Sequence, residues 1–316
     1  MECIGNSHVS PKDVFGGQEP LSIGVQTVLF NTELNAVMRS ALSVARAAEL
    51  AISSGLCKGV SLHIGDSSSI PCLVTKDLIN LRDAVKGVIE IEYQLFDQNL
   101  GSAGGQNKIY ASYKADMIFI QNPDVVVAPR TFDILLGEFL KPGVGIVEAK
   151  QLPIEHPKDY DVRTGETSWA TGACTMIPYP LFHQLAGYDS DNFFLYCDDV
   201  DLSWRVRLAG FKVLFQPAAV VFHDKRLDSL GRWRPSEAEK YYSAEAALLL
   251  PYKWSREDLT AKYLKEFRSH DLDHLNRAAA NFELRQSQGR LPPQLDSGHK
   301  IGEFIEGMYA RHRFSL

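Results

Sequence analysis

The chain has 316 residues, of which 45% are hydrophobic and 23% are charged, so it has the composition of an ordinary globular protein. Its net charge of -6 offers no basic surplus, which argues against a general nucleic-acid-binding surface. The 5 cysteines are scattered and form no Cys-x-x-Cys pair, so the sequence favours neither a disulfide framework nor a zinc knuckle and fits a reducing cytoplasm.

The two ends of the chain contain no apparent membrane or secretion signal. Residues 1–20 are polar and lack the apolar core of a signal peptide, and no apolar run approaches the roughly 18 residues of a membrane span. The basic tail with Arg311, His312 and Arg313 has two interpretations, a solvated terminus or a peripheral contact with a membrane. A soluble, cytoplasmic protein is expected, with contact at the inner membrane face left open.

Strands and helices alternate from residue 21 onward. Apolar spacing predicts strands over 21–30, 60–66, 89–97 and 117–127, and helices over 31–52, 75–87 and 106–115. This rhythm predicts a mostly parallel sheet with helices on both faces. Ligands of such sheets bind at the carboxyl ends of the strands, where Asp66, Asn99 and Asp124 each lie.

The second half of the chain changes character twice. Two strands are predicted over 144–150 and 211–223, separated by irregular sequence. Helices follow over 236–250, 256–267 and 271–286, with a final helix after the turn at 289–299. We therefore expect an extension over 1–20, an α/β body over 21–230 and a helical C-terminal region over 231–316. This last region is expected to pack against the body, with three alternatives: it forms a homo-oligomer, covers the acceptor cleft or connects to a further domain outside this chain.

Two turns at strand ends are candidate ligand sites. In NLGSAGGQN the glycines Gly101, Gly104 and Gly105 allow backbone N–H groups to approach an anion, although a plain strand-to-helix turn explains them equally well. In QNPDV, Pro123 holds Asp124 at the rim, where it either starts a turn or binds a hard divalent cation. His223 ends the strand AAVVFH and is a metal ligand only if folding places it beside Asp124.

The stretch FFLYCDDVDLSWR concentrates carboxylates behind aromatic residues. Asp201 and Arg205 are four positions apart and are expected to pair on one helix. Asp198 or Asp199 is a candidate cap of that helix, but one cap accounts for only one of the two. The other carboxylate is then a candidate general base that accepts a proton from a hydroxyl nucleophile.

Taken in order, several segments resemble family 2 glycosyltransferases with the A-type nucleotide-sugar fold. They are TVLFN, IGDSS, NLGSAGGQN, QNPD, the segment from WATGAC to CDDVDLSWR, and AAVVFH, and together they span about residues 21 to 225. The acidic pair with a late histidine looks closest to bacterial rhamnosyl- and galactofuranosyltransferases that build cell-surface polysaccharides such as O-antigen and cell wall.

The resemblance implies a role for each matching position. Asp199 would be the general base, Asp198 would orient the acceptor, and Asp124 with His223 would hold Mn²⁺ or Mg²⁺. The nucleotide-sugar-binding residues would be Thr27, Asn31, Asp66, Asn99, Gly101, Gly105, Asn107 and Asn122, and the acceptor-binding residues Trp169, Thr171, Gly172 and Asp198. Within the catalytic domain at 21–230, residues 21–125 would bind the donor and 126–230 the acceptor.

The implied reaction is an inverting transfer of a sugar from a UDP- or dTDP-linked donor to a glycan or a lipid-linked glycan. Two positions depart from the family pattern. Asn122 stands where an acid is common, and Ile177-Pro178 replaces a common arginine. Three alternatives remain: a non-catalytic nucleotide-sugar-binding relative, a sugar nucleotidyltransferase, which should carry a basic loop that VLFNTELNAV lacks, and a dehydrogenase, whose Gly-x-Gly-x-x-Gly spacing is missing.

Overall fold

One mixed sheet of eight strands organises the computed structural model, which describes residues 19–155, 158–224 and 235–310. The strand order is β3-β2-β1-β4-β7-β6-β8-β5. The strands are β1 (Leu21–Leu29), β2 (Cys57–Asp66), β3 (Glu90–Leu95), β4 (Met117–Gln121), β5 (Val125–Val127), β6 (Val144–Leu152), β7 (Cys174–Pro178) and β8 (Lys212–His223). The predicted α/β class is confirmed.

The sheet is mostly parallel, as predicted. Strand β1 pairs in parallel with β2 and β4, β2 with β3, and β6 with β8. Strand β7 runs antiparallel to both β4 and β6, and the short β5 runs antiparallel to β8. The carboxyl ends of the parallel strands therefore form the edge at which ligands are expected.

The segment predicted as one strand over 117–127 is two strands with a turn at Asn122–Asp124. Pro123 cannot donate a ladder hydrogen bond, which ends β4 there. Strands β4 and β5 stand four places apart in the sheet, about 19 Å if it were flat, whereas the chain between Gln121 and Val125 reaches only about 14 Å. The sheet therefore curls, and its edge strand β5 returns close to β4.

Nine helices are present among the described residues: α1 (Leu34–Ser53), α2 (Thr75–Ala84), α3 (Gly101–Tyr110), α4 (Thr131–Glu138), α5 (Tyr179–Gln184), α6 (Asp198–Leu208), α7 (Glu237–Lys253), α8 (Glu257–Ser269) and α9 (Asp273–Ser287). The short elements α4, α5 and β7 were not predicted. Helix α3 starts inside the glycine-rich turn, earlier than predicted.

The predicted final helix after residue 299 is wrong. Residues 300–310 form turns with a single bridge between Ile305 and Met308. Gly307 has a φ of +94°, which a helix does not accommodate, and a Cβ on Gly302 would lie 3.3 Å from the Cβ of Trp254. This segment is shaped by packing against tryptophans and not by helical periodicity.

The C-terminal helices have an apolar cluster of their own. One cluster surrounds β1, β2 and α1, and a separate cluster joins α7, α8 and α9 to Trp169, Phe193, Val200 and Trp204. The C-terminal helices thus pack onto α6, the helix that begins with the acidic pair. The predicted extension over 1–20, apart from its last two residues, and the basic tail at 311–313 lie outside the described residues.

No helix in the part of the chain that the structure describes combines the length and the apolar character needed to cross a membrane.

Candidate active site

Asp124 and His223 meet at the corner where β5 pairs with the end of β8. The register places Val125 opposite His223, and Asp124 Oδ1 lies 3.2 Å from His223 Nε2. His223 Nδ1 lies 2.6 Å from Gln151 Oε1, an oxygen that only accepts, so the Nδ1 proton is donated there and Nε2 presents its lone pair. The Asn122 side-chain nitrogen Nδ2 lies 3.3 Å from His223 Nε2.

This corner fits a hard divalent cation. A histidine lone pair and a carboxylate that is 31% exposed face each other, so both groups present acceptor atoms to the same space. Within residues 19–155, 158–224 and 235–310 no cluster of three or more His, Cys, Asp or Glu side chains forms. A cation held by Asp124 and His223 would therefore complete its shell with water or with phosphate oxygens of a substrate.

The acidic pair opens helix α6 without capping it. The N-cap is Cys197, whose side chain makes no capping hydrogen bond, so neither Asp198 nor Asp199 has the capping role considered above. Tyr196 and Cys197 both have left-handed backbones, with φ of 70° and 57°. This double kink turns the chain sharply before α6, and such strain concentrates at functional sites.

The two neighbouring acids have different surroundings. Asp199 is half-buried; its Oδ2 accepts a hydrogen bond from the Gly172 amide at 2.9 Å and its Oδ1 one from the Val200 amide at 2.8 Å. Asp198 is only 7% exposed, and burial, together with the negative charge of Asp199, raises its pKa to about 8 despite hydrogen bonds from backbone amides and the Ser102 side chain. The raised pKa favours the protonated form of Asp198, which lies beside the half-buried carboxylate of Asp199.

Two backbone hydrogen bonds link the Asp124–His223 corner to the acidic pair. The Asn122 amide donates a hydrogen bond of 3.1 Å to the Ala173 carbonyl, and Ala173 directly follows Gly172, which donates to Asp199. One pair of adjacent residues therefore connects the turn that bears Asp124 to the carboxylate of Asp199. Folding brings together residues that are far apart in the sequence.

Asp66 lies at the end of β2, where it is fully buried and holds the following loop. Its carboxylate accepts hydrogen bonds from the Tyr93 hydroxyl at 2.7 Å, the Cys72 amide at 2.6 Å and the Ser68 amide at 2.9 Å. Burial alone would raise the pKa of Asp66, but these hydrogen bonds outweigh it and the pKa is lowered. The contact of Asp66 with a nucleotide stays a prediction, since the structure shows it shaping the 67–72 loop.

Two predicted donor-binding residues lie on β1 and just after its end, where one is buried and the other is bonded to the same loop. Thr27 is only 2% exposed, and its hydroxyl has no hydrogen-bond partner among the described residues. The Asn31 amide donates to Ser68 Oγ at 2.8 Å, and Asn31 has a left-handed φ of 50°. Both stay predicted donor-binding residues.

Helix α3 is fastened to the segment that precedes the acidic pair. A Cβ on Gly101, whose φ is +67°, would lie 2.2 Å from the Phe194 carbonyl oxygen, and the Ser102 amide donates to that oxygen at 3.0 Å. Asn99 Oδ1 accepts from the Gly101 amide at 3.0 Å. Two N-terminal amides of α3 are therefore engaged within the protein, and an anion contact at this turn stays a prediction.

Further along α3 the same pattern continues. A Cβ on Gly105 would lie 2.8 Å from Val28 Cγ1, so this glycine permits close packing of α3 on β1. The Asn107 side chain donates to the Tyr188 carbonyl at 2.7 Å and accepts from the Tyr188 amide at 2.8 Å. Asn107 clamps a loop in this structure, and its predicted contact with a donor remains untested.

The predicted acceptor residues Trp169, Thr171 and Gly172 form one loop against the acids. Trp169 is 5% exposed and lies edge-on to Tyr309 at 5.2 Å between ring centroids. The Thr171 amide donates to Glu148 Oε2 at 3.1 Å. Of these, Gly172 is the one that contacts Asp199 directly.

Sequence reasoning missed four residues of this region: Glu148, Gln151, Lys158 and Tyr188. Burial and the negative charges of Asp198 and Asp199 raise the pKa of Tyr188 well above its ordinary value, which places its hydroxyl near the acidic pair. The only signal for Glu148 was a lone acid inside the apolar strand VGIVEAK. Lys158 and Gln151 carried no local signal.

Comparisons with known proteins point to sugar transfer. No known family model matches the chain. It is 37% identical over 57 residues, 18% of each chain, to the N-acetylglucosaminyl-diphospho-decaprenol L-rhamnosyltransferase of Mycobacterium tuberculosis. It is 26% identical over 98 residues to the rhamnosyltransferase WbbL of Escherichia coli, covering 29% of this chain and 37% of that protein.

A longer match covers 61% of the chain at 25% identity over 211 residues, and it is to the pre-mycofactocin glycosyltransferase of Mycobacterium tuberculosis, of which it spans 43%. The chain thus matches less than half the length of each of these curated relatives.

Solved structures show the fold. The structure of GalNAc-T7 with UDP, GalNAc and Mn²⁺ matches with a TM-score of 0.60 at 15% identity, covering 87% of this chain and 56% of that one. A mannosyltransferase from Pyrobaculum calidifontis in complex with GDP-Man and Mn²⁺ matches with a TM-score of 0.54 at 13% identity, covering 92% and 79%. The chain has the fold of these glycosyltransferases, and its predicted resemblance to glycosyltransferases is confirmed.

Proposed function

We propose that this protein is an inverting, metal-dependent glycosyltransferase that moves a sugar from a nucleoside-diphosphate donor to a hydroxyl of a glycan. The observation that carries the proposal is the link through Gly172 and Ala173 between the Asp124–His223 corner and Asp199. The transfer needs a base that accepts the proton of the acceptor hydroxyl, and Asp199 would supply it. The transfer also needs positive charge beside the leaving diphosphate, and a cation held by Asp124 and His223 would supply that.

Asp199 is the proposed general base. A sugar hydroxyl is a weak nucleophile near neutral pH, so a carboxylate must accept its proton as the new bond forms. Asp199 is half-buried and accepts a hydrogen bond from the Gly172 amide of the predicted acceptor-binding residues, whereas Asp198 is buried. The raised pKa of Asp198 favours its protonated form, which is a poor general base. A protonated Asp198 can instead donate a hydrogen bond that orients the acceptor.

Asp124 and His223 are the proposed metal ligands, with Gln151 fixing the histidine tautomer. A bound Mn²⁺ or Mg²⁺ would act as a Lewis acid that stabilises negative charge on the leaving nucleoside diphosphate. Because the base and the leaving group lie on opposite sides of the anomeric carbon, a single displacement inverts its configuration, by the geometry that governs inverting hydrolases.

The relatives suggest the substrate class. Two of them are named as rhamnosyltransferases, and one of these names an acceptor built on decaprenyl diphosphate. We infer a UDP- or dTDP-linked donor and a glycan or lipid-linked glycan acceptor, in the synthesis of a bacterial polysaccharide. A lipid-linked acceptor would bring the protein to the inner membrane face as a peripheral partner.

The test begins with the donor and ends at Asp199. A thermal-shift panel of nucleotide sugars with Mn²⁺ identifies the donor, because a ligand that binds the native state raises its apparent stability. Asp199→Asn should then lower the rate of transfer by about 10²- to 10⁴-fold while leaving donor affinity unchanged, since only proton acceptance is lost.

The matched control is Asp191→Asn, which changes an exposed aspartate of the same segment and should transfer sugar at the wild-type rate. An Asp199→Asn enzyme that is as active as this control would refute the assignment of the base. Formation of a product with retained anomeric configuration, seen by NMR, would refute the single displacement.

A further inference from the structure

A buried ion pair lies behind the acceptor loop, which we define as residues 168–173. Lys158 Nζ is 2.7 Å from Glu148 Oε2, and the two side chains are 2% and 0% exposed. Glu148 comes from the middle of β6, with Thr175 of β7 on one side and Phe215 of β8 on the other. The pair is thus built on a central part of the sheet, and proton acceptance by Asp199 does not use it.

Both members of the pair hold the backbone of the acceptor loop. Lys158 Nζ donates to the Trp169 carbonyl at 3.0 Å and lies 3.4 Å from the centroid of the Trp169 ring. Glu148 Oε2 accepts from the Thr171 amide at 3.1 Å. The lysine therefore fixes residue 169 and the glutamate fixes residue 171, on either side of Ala170.

The next amide in the loop belongs to the proposed catalytic apparatus. Gly172 N–H donates to Asp199 Oδ2 at 2.9 Å, directly after the Thr171 N–H that donates to Glu148. Two carboxylates thus hold two adjacent amides. Any shift of the Thr171 peptide would carry the Gly172 amide with it and change the direction of the Asp199 carboxylate.

Stability is a weak reason for such a pair. Replacing a buried ion pair with apolar groups of similar size is often neutral or stabilising, because two charges must be removed from water. Glu148 Oε1 is also buried without a hydrogen-bond partner among the described residues, a further cost. Burial raises the pKa of Glu148 even though the nearby Lys158 charge lowers it.

We propose that Glu148 and Lys158 are positioning residues for sugar transfer, which hold the acceptor loop so that Asp199 points at the acceptor hydroxyl. This inference rests on the proposed function, since it assigns the pair to the acceptor side of that reaction. The pair is distinct from the proposed metal and sugar-donor site. Within the described residues, no hydrogen bond or ion pair joins Glu148 or Lys158 to Asp124 or His223.

The informative variant is the double substitution Glu148→Gln with Lys158→Met. It removes both charges at once, so no uncompensated charge stays buried, and the carboxamide oxygen of the substituted side chain can still accept from the Thr171 amide. The Trp169 carbonyl loses its donor and the loop loses its charged anchor. We expect the folded protein to keep a melting temperature near that of the wild type.

We expect this double variant to show a raised KM for the acceptor and a lower kcat for transfer, with a combined loss approaching about 10²-fold, because a misplacement of about 1 Å costs that much. The affinity for the donor with Mn²⁺, measured by calorimetry, should be unchanged. The single variant Glu148→Gln leaves Lys158 buried and uncompensated, so it should lose stability as well as transfer.

Glu166→Gln is the matched control, because it breaks the half-exposed pair between Glu166 and Lys212 in the same stretch of chain. It should leave transfer and both affinities at the wild-type level. A double variant that transfers as fast as this control would overturn the inference, as would one that loses donor affinity in proportion to transfer. A wild-type protein that binds a donor but transfers nothing would instead refute the proposed function.

Discussion

Lys253 connects the C-terminal helices to the helix that carries the acidic pair, and its removal is the most direct test of that coupling. Its Nζ lies 2.7 Å from both Asp189 Oδ2 and Asp201 Oδ1, with the three side chains only 5%, 20% and 0% exposed. The predicted Asp201–Arg205 pair on α6 is confirmed at 2.8 Å. Lys253 thus ties the end of α7 to the same carboxylate.

Lys253→Met would leave the buried carboxylate of Asp201 and the half-buried carboxylate of Asp189 without their shared cation. Removing one partner of a buried pair costs about 3–5 kcal/mol. Asp201 keeps Arg205 and the Trp254 indole N–H at 3.1 Å, and so we expect the lower end, about 3 kcal/mol. With an unfolding entropy of about 2.1 cal/mol/K per residue, a chain of 316 residues loses about 1.5 °C per kcal/mol, so the melting temperature should fall by about 4–5 °C.

The measurement is the free energy of unfolding from urea titration, supported by the thermal midpoint. Lys240→Met is the control, since this lysine lies on the same helix and its pair with Glu237 is 38% and 78% exposed. Exposed pairs contribute about 0–1 kcal/mol, so the control should be close to the wild type. A Lys253→Met protein within about 1 kcal/mol of that control would refute the coupling.

Three further predictions concern the site. Asp198 has its pKa raised from 3.8 to about 8 in the folded state, so the native protein binds the extra proton and stability should fall as pH rises through that window. Glu148, whose pKa is raised to about 7, contributes to the same slope, so Asp198→Asn should make the slope in unfolding titrations shallower, and an unchanged slope would contradict the prediction. Gly101→Ala should lower the free energy of unfolding by more than about 1 kcal/mol, because the φ of this residue is +67° and an added Cβ would meet the Phe194 carbonyl. The control Gly137→Ala in α4 has open space around the added Cβ and should be neutral or stabilising. Equal melting temperatures for the two variants would disprove this prediction. Asp124→Ala should weaken donor binding in the presence of Mn²⁺, and removing Mn²⁺ from the wild type with a chelator should weaken donor binding to the same degree. Asp124 would be excluded as a metal ligand if calorimetry finds equal donor affinities with and without Mn²⁺ in both proteins.

Much of the α/β body could be predicted because its signals are local. The first three strands and the helices between them follow from apolar spacing over short windows, and their order alone favours a parallel sheet. The Asp201–Arg205 pair was predictable for the same reason, since four residues make one turn of a helix. The rim positions of Asp66 and Asp124 follow from the ends of their strands.

Some predictions failed where long-range packing outweighs local pattern. The segment IGEFIEGMYA has apolar residues at near-helical spacing, yet it lies as turns against Trp204 and Trp254. Neither acid of the pair caps α6, because the left-handed residues Tyr196 and Cys197 lead into the helix instead. The partners that decide both cases are remote in the chain.

Local residue patterns are enough to predict the long strands and helices, the residue types available at the strand ends and the neighbours within one helical turn. Long-range folding decides which carboxylates are linked across the sheet and which are buried. Gly172 reaches Asp199 across 27 positions, Asn107 reaches Tyr188 across 81, and Asn122 reaches His223 across 101. Such contacts form because the curled sheet brings distant strand ends together. The periodicity of a sequence predicts only the face of its own strand or helix on which each side chain lies, so it does not predict these contacts.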